Sequence, residues 1–148
     1  VIPAIKYFGY VVRHKVHVFR AGRTTGAPLW RLLVHDLSKF LPSEFFPYAS
    51  FFYGTGGHDE FHATFVKHWH RNPHHWEHWL RLRNTDEGYR PRALRMPPGL
   101  VKEMVADWVG AGKAKADGLP LREWYDSAHP VLHRDSRREA EALMELFE

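Results

Sequence analysis

Apolar residues recur along this chain at the three- and four-residue spacing of helices, and turn-forming residues punctuate the pattern. Residues 3–21 carry two neighbouring apolar stripes. One is Ile5, Phe8, Val12, Val16 and Phe19; the other is Tyr7, Val11, His14, Val18 and Ala21. Lys6, Arg13, His17 and Arg20 share the remaining polar face, Pro3 suits the first turn, and Gly22 predicts the stop. Pro28 opens a second helix, expected to run to about Lys39. Pro42 opens a third, ending at Gly54, with Phe45, Phe46, Ala49, Phe52 and Tyr53 inward. A fourth helix over about 59–70 puts Phe61, Phe65 and His68 on one face and His70 on another.

Asn72 as N-cap and Pro73 at the first helical position predict a further helix, buried through Trp76, Trp79, Leu80 and Leu82. In that phase His75 lies beside the buried face, while His74 and His78 lie opposite it. Residues 84–99 hold Arg90, Arg92, Arg95, two glycines and three prolines, and read as a long loop. A helix from Leu100 to about Ala111 points Leu100, Met104, Trp108 and Ala111 inward, with Asp107 on the flank and Gly110 and Gly112 as its close. Residues 119–126 read as a short helix. Ser136 followed by Glu139 resembles a capping box for a last amphipathic helix. No strand-like alternation or internal repeat is visible, so the expected fold class is all-α, in a single domain over residues 1–148.

Composition narrows the function classes. A 148-residue chain with 44% hydrophobic residues, six Trp, six Tyr and ten Phe is not disordered. The absence of cysteine removes disulfides, thiolate metal sites and a cysteine nucleophile together. No apolar run approaches the length of a membrane span, so a soluble, cytoplasmic protein with no membrane partner is expected. A net charge of +4 suits anionic ligands such as phosphates, but is too mild to argue for nucleic acid. Thr55, Gly56 and Gly57 are not followed by the Lys-Ser or Lys-Thr pair of a phosphate loop. Histidine is the anomaly. Twelve occur, seven of them between His58 and His78, a composition that points to metal, although surface histidines account for some.

The stretch from Arg31 to Phe40 gives this clue a location. Leu29, Leu32, Leu33 and Asp36 fall at i, i+3, i+4 and i+7, which puts Asp36 on the face the helix buries, where an unpaired carboxylate is costly. His35 points about 100° away around the same turn. Lys39 follows one turn later. A cation between His35 and Asp36 would neutralise the buried carboxylate; an Asp36–Lys39 ion pair at a helix end is the alternative. His14 lies on the buried side of its helix and His17 on the wet side, so His14 is either a hydrogen-bonded core histidine or a ligand. Lys15 also intrudes on the apolar side, without a rationale in the sequence. His14, His35, Asp36 and Asp107 are thus four inward polar residues, and imidazole with carboxylate suits Fe, Mn, Co, Ni or Zn.

The order of a histidine, a His-Asp pair and a distant aspartate resembles the HD superfamily of metal-dependent phosphohydrolases, over His14 to Asp107. His35-Asp36-Leu37-Ser38-Lys39 also resembles the His-Asp-x-x-Lys form of dinuclear members, including inositol-oxygenase-like diiron enzymes. The phrases from His35 to Phe40 and from Asn72 to Trp76 are similar to an uncharacterised family of short bacterial and phage proteins. The resemblance implies a helical bundle around one or two divalent transition-metal ions. His14, His35, Asp36 and Asp107 would hold the first, and Asp36 would bridge to a second. Two further histidines would come from the 68–75 cluster: His68 and His75, with His74 in reserve because a helix's first turn departs from ideal phase. That separation is shorter than in dinuclear relatives.

The implied activity is hydrolysis of a small phosphorylated substrate, foremost a nucleotide, by metal-activated water, with Lys39 and Asp36 as catalytic residues. Arg90, Arg92 and Arg95 would clamp the substrate, or form a solvated basic loop. A diiron oxygenase on the same ligands is one rival. A non-enzymatic, metal-stabilised nucleic-acid-binding module is another.

Overall fold

A computed structural model describes residues 1–115 and 118–148. Among them are seven α-helices and one two-stranded hairpin, so the fold is all-α as its periodicity predicts. The first helix, α1, spans Ile2–Thr25 and ends at Gly26, whose φ of 72° supplies the left-handed C-cap. It does not stop at Gly22. A Cβ there would lie 2.3 Å from Leu32 Cδ2, so this glycine lets the following helix, α2 (Leu29–Val34), lie against α1 rather than ending it. Only the stripe through Tyr7, Val11, His14, Val18 and Ala21 is buried; Ile5, Phe8, Val12, Val16 and Phe19 lie at the surface.

The expected continuous helix from Pro28 to Lys39 is broken. After α2, His35 takes an extended conformation and Asp36 a left-handed one with φ 54°, and a 3-10 turn follows over Leu37–Phe40. Lys15 explains how the break is held. Its Nζ donates to the carbonyls of His35 at 2.6 Å and Leu33 at 3.3 Å, a cation on the freed acceptors of a helix C-terminus. The third and fourth helices, α3 (Pro42–Tyr53) and α4 (His58–Arg71), match the expected spans. In α3 the buried positions are Glu44, Tyr48 and Ala49, whereas Phe46 and Phe52 are exposed.

No helix follows Asn72. Its side-chain amide donates to the His68 carbonyl at 2.9 Å and to Ser38 Oγ at 2.8 Å, so it closes α4 instead of capping a successor. A turn and a short 3-10 segment, Trp76–Trp79, lead into the hairpin β1 (Leu80–Thr85) and β2 (Gly88–Ala93). The strands pair antiparallel, Leu80 with Ala93 through Thr85 with Gly88. Leu82 is exposed, not buried. Nearly every hairpin position faces solvent on both sides, so no period-two signal exists in the sequence to reveal it.

The helix α5 (Pro98–Ala114) is buried almost all round and organises the rest. One side packs Leu100, Val101, Met104 and Val105 against Tyr125 of α6 (Leu121–Ala128) and Ala140 and Met144 of α7 (Arg134–Met144). The other packs Ala106 and Val109 against Val18 and Ala21 of α1. A third apolar cluster joins Tyr7 and Val11 of α1 to Tyr48 and Ala49 of α3. His14 falls on α1 between the second and third clusters. Gly110 and Gly112 lie inside α5 instead of closing it. The expected capping box is also displaced: His133 caps α7, and Ser136 Oγ accepts from the Met96 amide at 2.9 Å.

Gly110 sets how closely α1 and α5 approach. A Cβ there would meet Val18 Cγ2 at 2.4 Å and Val18 N at 2.9 Å, while one at Gly112 would meet nothing nearer than 3.5 Å. Gly110→Ala is expected to destabilise by about 1–3 kcal/mol through overpacking. Gly112→Ala should be neutral or stabilising by roughly 0.5–1 kcal/mol, because helical glycine costs backbone entropy. Urea unfolding of the two variants decides this; equal effects would mean that the helices do not meet at Gly110.

Candidate metal centre

Seven buried or half-buried ligand-type residues from five segments converge between the apolar clusters. The break after α2 turns both His35 and Asp36 toward this point, where a continuous helix would have separated them. His14 comes from α1, His68 from α4, and Asp107 from α5. His74 and His75 come from the turn after Asn72, where His75 is extended and both imidazoles reach the centre. His14, His35, Asp36, His68 and His74 are each no more than 2% exposed.

Four donor atoms surround one point. His14 Nε2 stands 3.4 Å from Asp36 Oδ2 and 3.0 Å from Asp107 Oδ1. His35 Nε2 stands 3.4 Å from Asp36 Oδ2, 3.3 Å from Asp107 Oδ1 and 3.4 Å from His14 Nε2. Donors bound at about 2.0–2.2 Å lie roughly 3.0–3.5 Å apart along the edges of an octahedron or tetrahedron, so the set is compact enough to hold a metal ion. The other oxygen of Asp36 faces elsewhere. Oδ1 lies 3.3 Å from His68 Nε2 and 3.4 Å from His74 Nε2, and His75 Nε2 lies 3.0 Å from His68 Nε2. Asp36 with His68 and His75 also forms a group compact enough for a cation. Asp36 therefore presents one oxygen to each of two imidazole sets.

The expected His14, His35, Asp36, His68, His75 and Asp107 are thus brought together. His74 is fully buried among them, contrary to the helical phase that put it opposite His75. His70 and His78 stay outside; His78 Nδ1 faces the Trp69 carbonyl at 2.9 Å. Arg90, Arg92 and Arg95 do not reach the site: the first two are on the exposed hairpin, and Arg95 Nε lies 4.0 Å from Asp135.

Two carboxylates behind the histidines were hidden in the sequence. Glu103 Oε1 lies 3.0 Å from His35 Nδ1 and 3.3 Å from His74 Nδ1, and its other oxygen pairs with Arg31. Glu44 Oε2 lies 2.8 Å from His68 Nδ1, and Arg71 and Ser38 hold the same carboxylate. An Nδ1–H donated to a carboxylate leaves the Nε2 lone pair free for a metal, the usual outer support of ligating histidines. Glu44 reads in the sequence as an ordinary first-turn acid. Glu103 could have been found four residues before Asp107, on the same helix face.

The charged groups of the cluster shift one another's ionisation. Burial disfavours charge on His35, but Asp36, Asp107 and Glu103 outweigh it and push its pKa up to about 9. Burial likewise opposes the charged Asp36, yet His35, Lys39 and His68 hold it well below the usual carboxylate range. Glu103 is pulled down to about 2 against burial by its bonds from His35 and His74. Both oxygens of Asp36 and His74 Nε2 are buried without a hydrogen-bond partner. Lys39 Nζ is 2.6 Å from Asp36 Oδ2, an ionic contact that leaves Oδ1 unanswered. Buried His, Asp and Glu groups here could hold a metal ion, and these orphaned atoms are those a cation would satisfy.

His14, Lys39, His75 and Asp107 also line a cavity of about 530 Å³, whose wall is otherwise rich in Tyr, Phe and Trp. No helix among the described residues is long and apolar enough to cross a membrane. The chain belongs to DUF5662, a family of unknown function, which it matches over residues 4–146. No curated protein and no solved structure matches it.

His14→Ala is expected to lose metal while His17→Ala keeps it, and Glu103→Gln should weaken affinity roughly 10- to 100-fold. Calorimetric titration with Zn or Mn checks all three; equal losses at His14 and His17 would place the site elsewhere. A pH dependence follows as well. The folded pKa of His35, about 9, exceeds that of an unfolded histidine, about 6.5. Its stabilisation is complete below pH about 6.5 and is lost as pH rises through about 9. His68 and His74 shift in the same direction. Chelator-stripped protein should therefore lose thermal stability across that window, whereas metal-loaded protein, with a cation in place of the protons, should not. A flat Tm profile in the stripped protein would contradict this account.

Proposed function

We propose, from a family that assigns no activity, that this chain is a metal-dependent phosphohydrolase of HD-superfamily type acting on a small phosphorylated substrate, foremost a nucleotide. The observation that carries the reading is the two-sided Asp36, buried behind the His14, Lys39, His75 and Asp107 side chains that line an aromatic-walled cavity. His14, His35, Asp36 Oδ2 and Asp107 would hold one ion; Asp36 Oδ1, His68 and either His74 or His75 would hold a second. The mixed imidazole and carboxylate set suits Fe, Mn, Co, Ni or Zn. A divalent cation so held supplies Lewis acidity and lowers the pKa of a bound water from about 15.7 to about 7.

The protein's own groups supply the remainder. Lys39 lies against Asp36 and also on the cavity wall, so its ammonium can receive a phosphoryl oxygen and offset charge that develops during transfer. Tyr7, Tyr48, Phe61, Phe65, Trp76 and Trp108 line the same cavity and give a flat apolar group a stacking surface while excluding water. Tyr48 and Glu77 also line the cavity, and Tyr48 Oη and Glu77 Oε2 are buried without a hydrogen-bond partner. Burial raises the Glu77 carboxyl to about 7.

A diiron oxygenase shares these ligands. The observation in its favour is the small number of cations on the cavity wall, Lys39 and Lys115, against many aromatic groups. Protein purified without chelators, analysed for metal and assayed on a panel of phosphomonoesters, tests the hydrolase. Oxygen uptake with ferrous iron tests its rival. Lys39→Ala is expected to retain metal and fold while lowering kcat/KM on phosphorylated substrates by roughly 10²- to 10³-fold. An unchanged rate would reduce Lys39 to a structural ion-pair partner.

A further inference from the structure

The hairpin assembles a charged surface that the linear sequence conceals. Its register sets Arg81 opposite Arg92 and Arg83 opposite Arg90. Residues two apart on a strand share a face, so all four guanidinium groups project from one side of the ribbon. Directly opposed side chains stand about 4.5–5.5 Å apart, and like charges so placed destabilise a ladder. All four residues are exposed. Only Arg90 has an ion-pair partner among the described residues, Glu87 at 3.5 Å, and that contact is itself solvent-exposed. An anionic partner would offset the repulsion among these four clustered cations.

We propose that this arginine face docks on the phosphate backbone of duplex DNA, independently of the metal centre. The face is exposed and sets its charges in two opposed pairs along the ribbon, which suits an extended polyanion; single phosphates bind in concave pockets. All four are arginines, whose planar forks match phosphate oxygens in pairs. A two-stranded ribbon has the dimensions the DNA major groove admits. Single strands are held by stacking on aromatic groups as well as by charge. The arginine face has no aromatic residue, since Tyr89 pairs with Asn84 on the opposite side. The exposed apolar residues of the hairpin, Leu82 and Tyr89, lie on the face opposite the arginines, so the arginine face carries no apolar anchor for a lipid surface.

Fluorescence anisotropy of the full metal-loaded chain with a labelled 20-base-pair duplex tests this. Four phosphate contacts predict a slope of log K against log salt near −3.6, roughly a 100-fold loss between about 50 and 200 mM salt. The variant R81Q/R83Q/R90Q/R92Q should lose binding more than about tenfold, with a slope near zero, and keep its metal content and Tm. Should it fail to fold, R83Q and R92Q singly should each reduce the slope by about one. Wild-type affinity in these variants would overturn the proposal. So would tighter binding to a single-stranded 20-mer, or co-sedimentation with anionic phosphatidylglycerol vesicles without duplex binding.

Discussion

A carboxylate with no solvent exposure dominates this structure. Asp36 is fully buried, and an isolated charge in that position would cost several kcal/mol. The surrounding chain is arranged to offset that cost. Asp36 occupies a left-handed conformation that few non-glycine residues adopt, which ends α2 and turns His35 to the same side. Lys15 holds the carbonyls freed by the break, and Lys39 contributes the nearest permanent positive charge. Imidazoles from α1, α2, α4 and the 74–75 turn face the two oxygens, and Glu103 and Glu44 orient three of those rings. The three apolar clusters then enclose the polar cluster.

Much of this was legible because most of the helices are amphipathic. The phase of α1 separates His14 from His17 correctly, and the flank position of Asp107 on α5 points to the same centre. The apolar spacing through Leu29, Leu32 and Leu33 marks Asp36 as buried, although the helix that would continue it does not exist. Failures occur where a residue's role depends on a distant partner. Gly22 and Gly110 have the composition of helix stops but serve as contact points for Leu32 and Val18. Lys15 looks misplaced until the His35 carbonyl is 2.6 Å away. Asn72 and Pro73 form a good helix start by local rules, yet Asn72 is already engaged with His68 and Ser38, which leaves His74 and His75 in a turn and buries His74. The hairpin had no buried face and so no pattern to detect.

The cavity and the histidine–carboxylate cluster meet at His14, Lys39, His75 and Asp107, which lets one molecule touch the cluster and an aromatic wall together. The cluster offers imidazole and carboxylate donors, while the cavity wall offers flat aromatic surfaces. These two constraints come from different residues and are separable by experiment. The family match spans nearly the whole chain but attaches no chemistry to it.

Glu103 gives this geometry a thermodynamic dimension. One of its oxygens faces the Nδ1 atoms of both His35 and His74. These two rings approach opposite oxygens of Asp36, so a single acceptor supports both halves of the centre. Hydrogen bonds to a shared oxygen are not independent, since strengthening one changes the charge available to the other. Filling either half would therefore alter the basicity of the imidazole in the other, and reciprocity requires the same coupling energy in both directions. Were both halves to hold an ion, they would form one linked equilibrium, coupled through a glutamate behind the rings that face them.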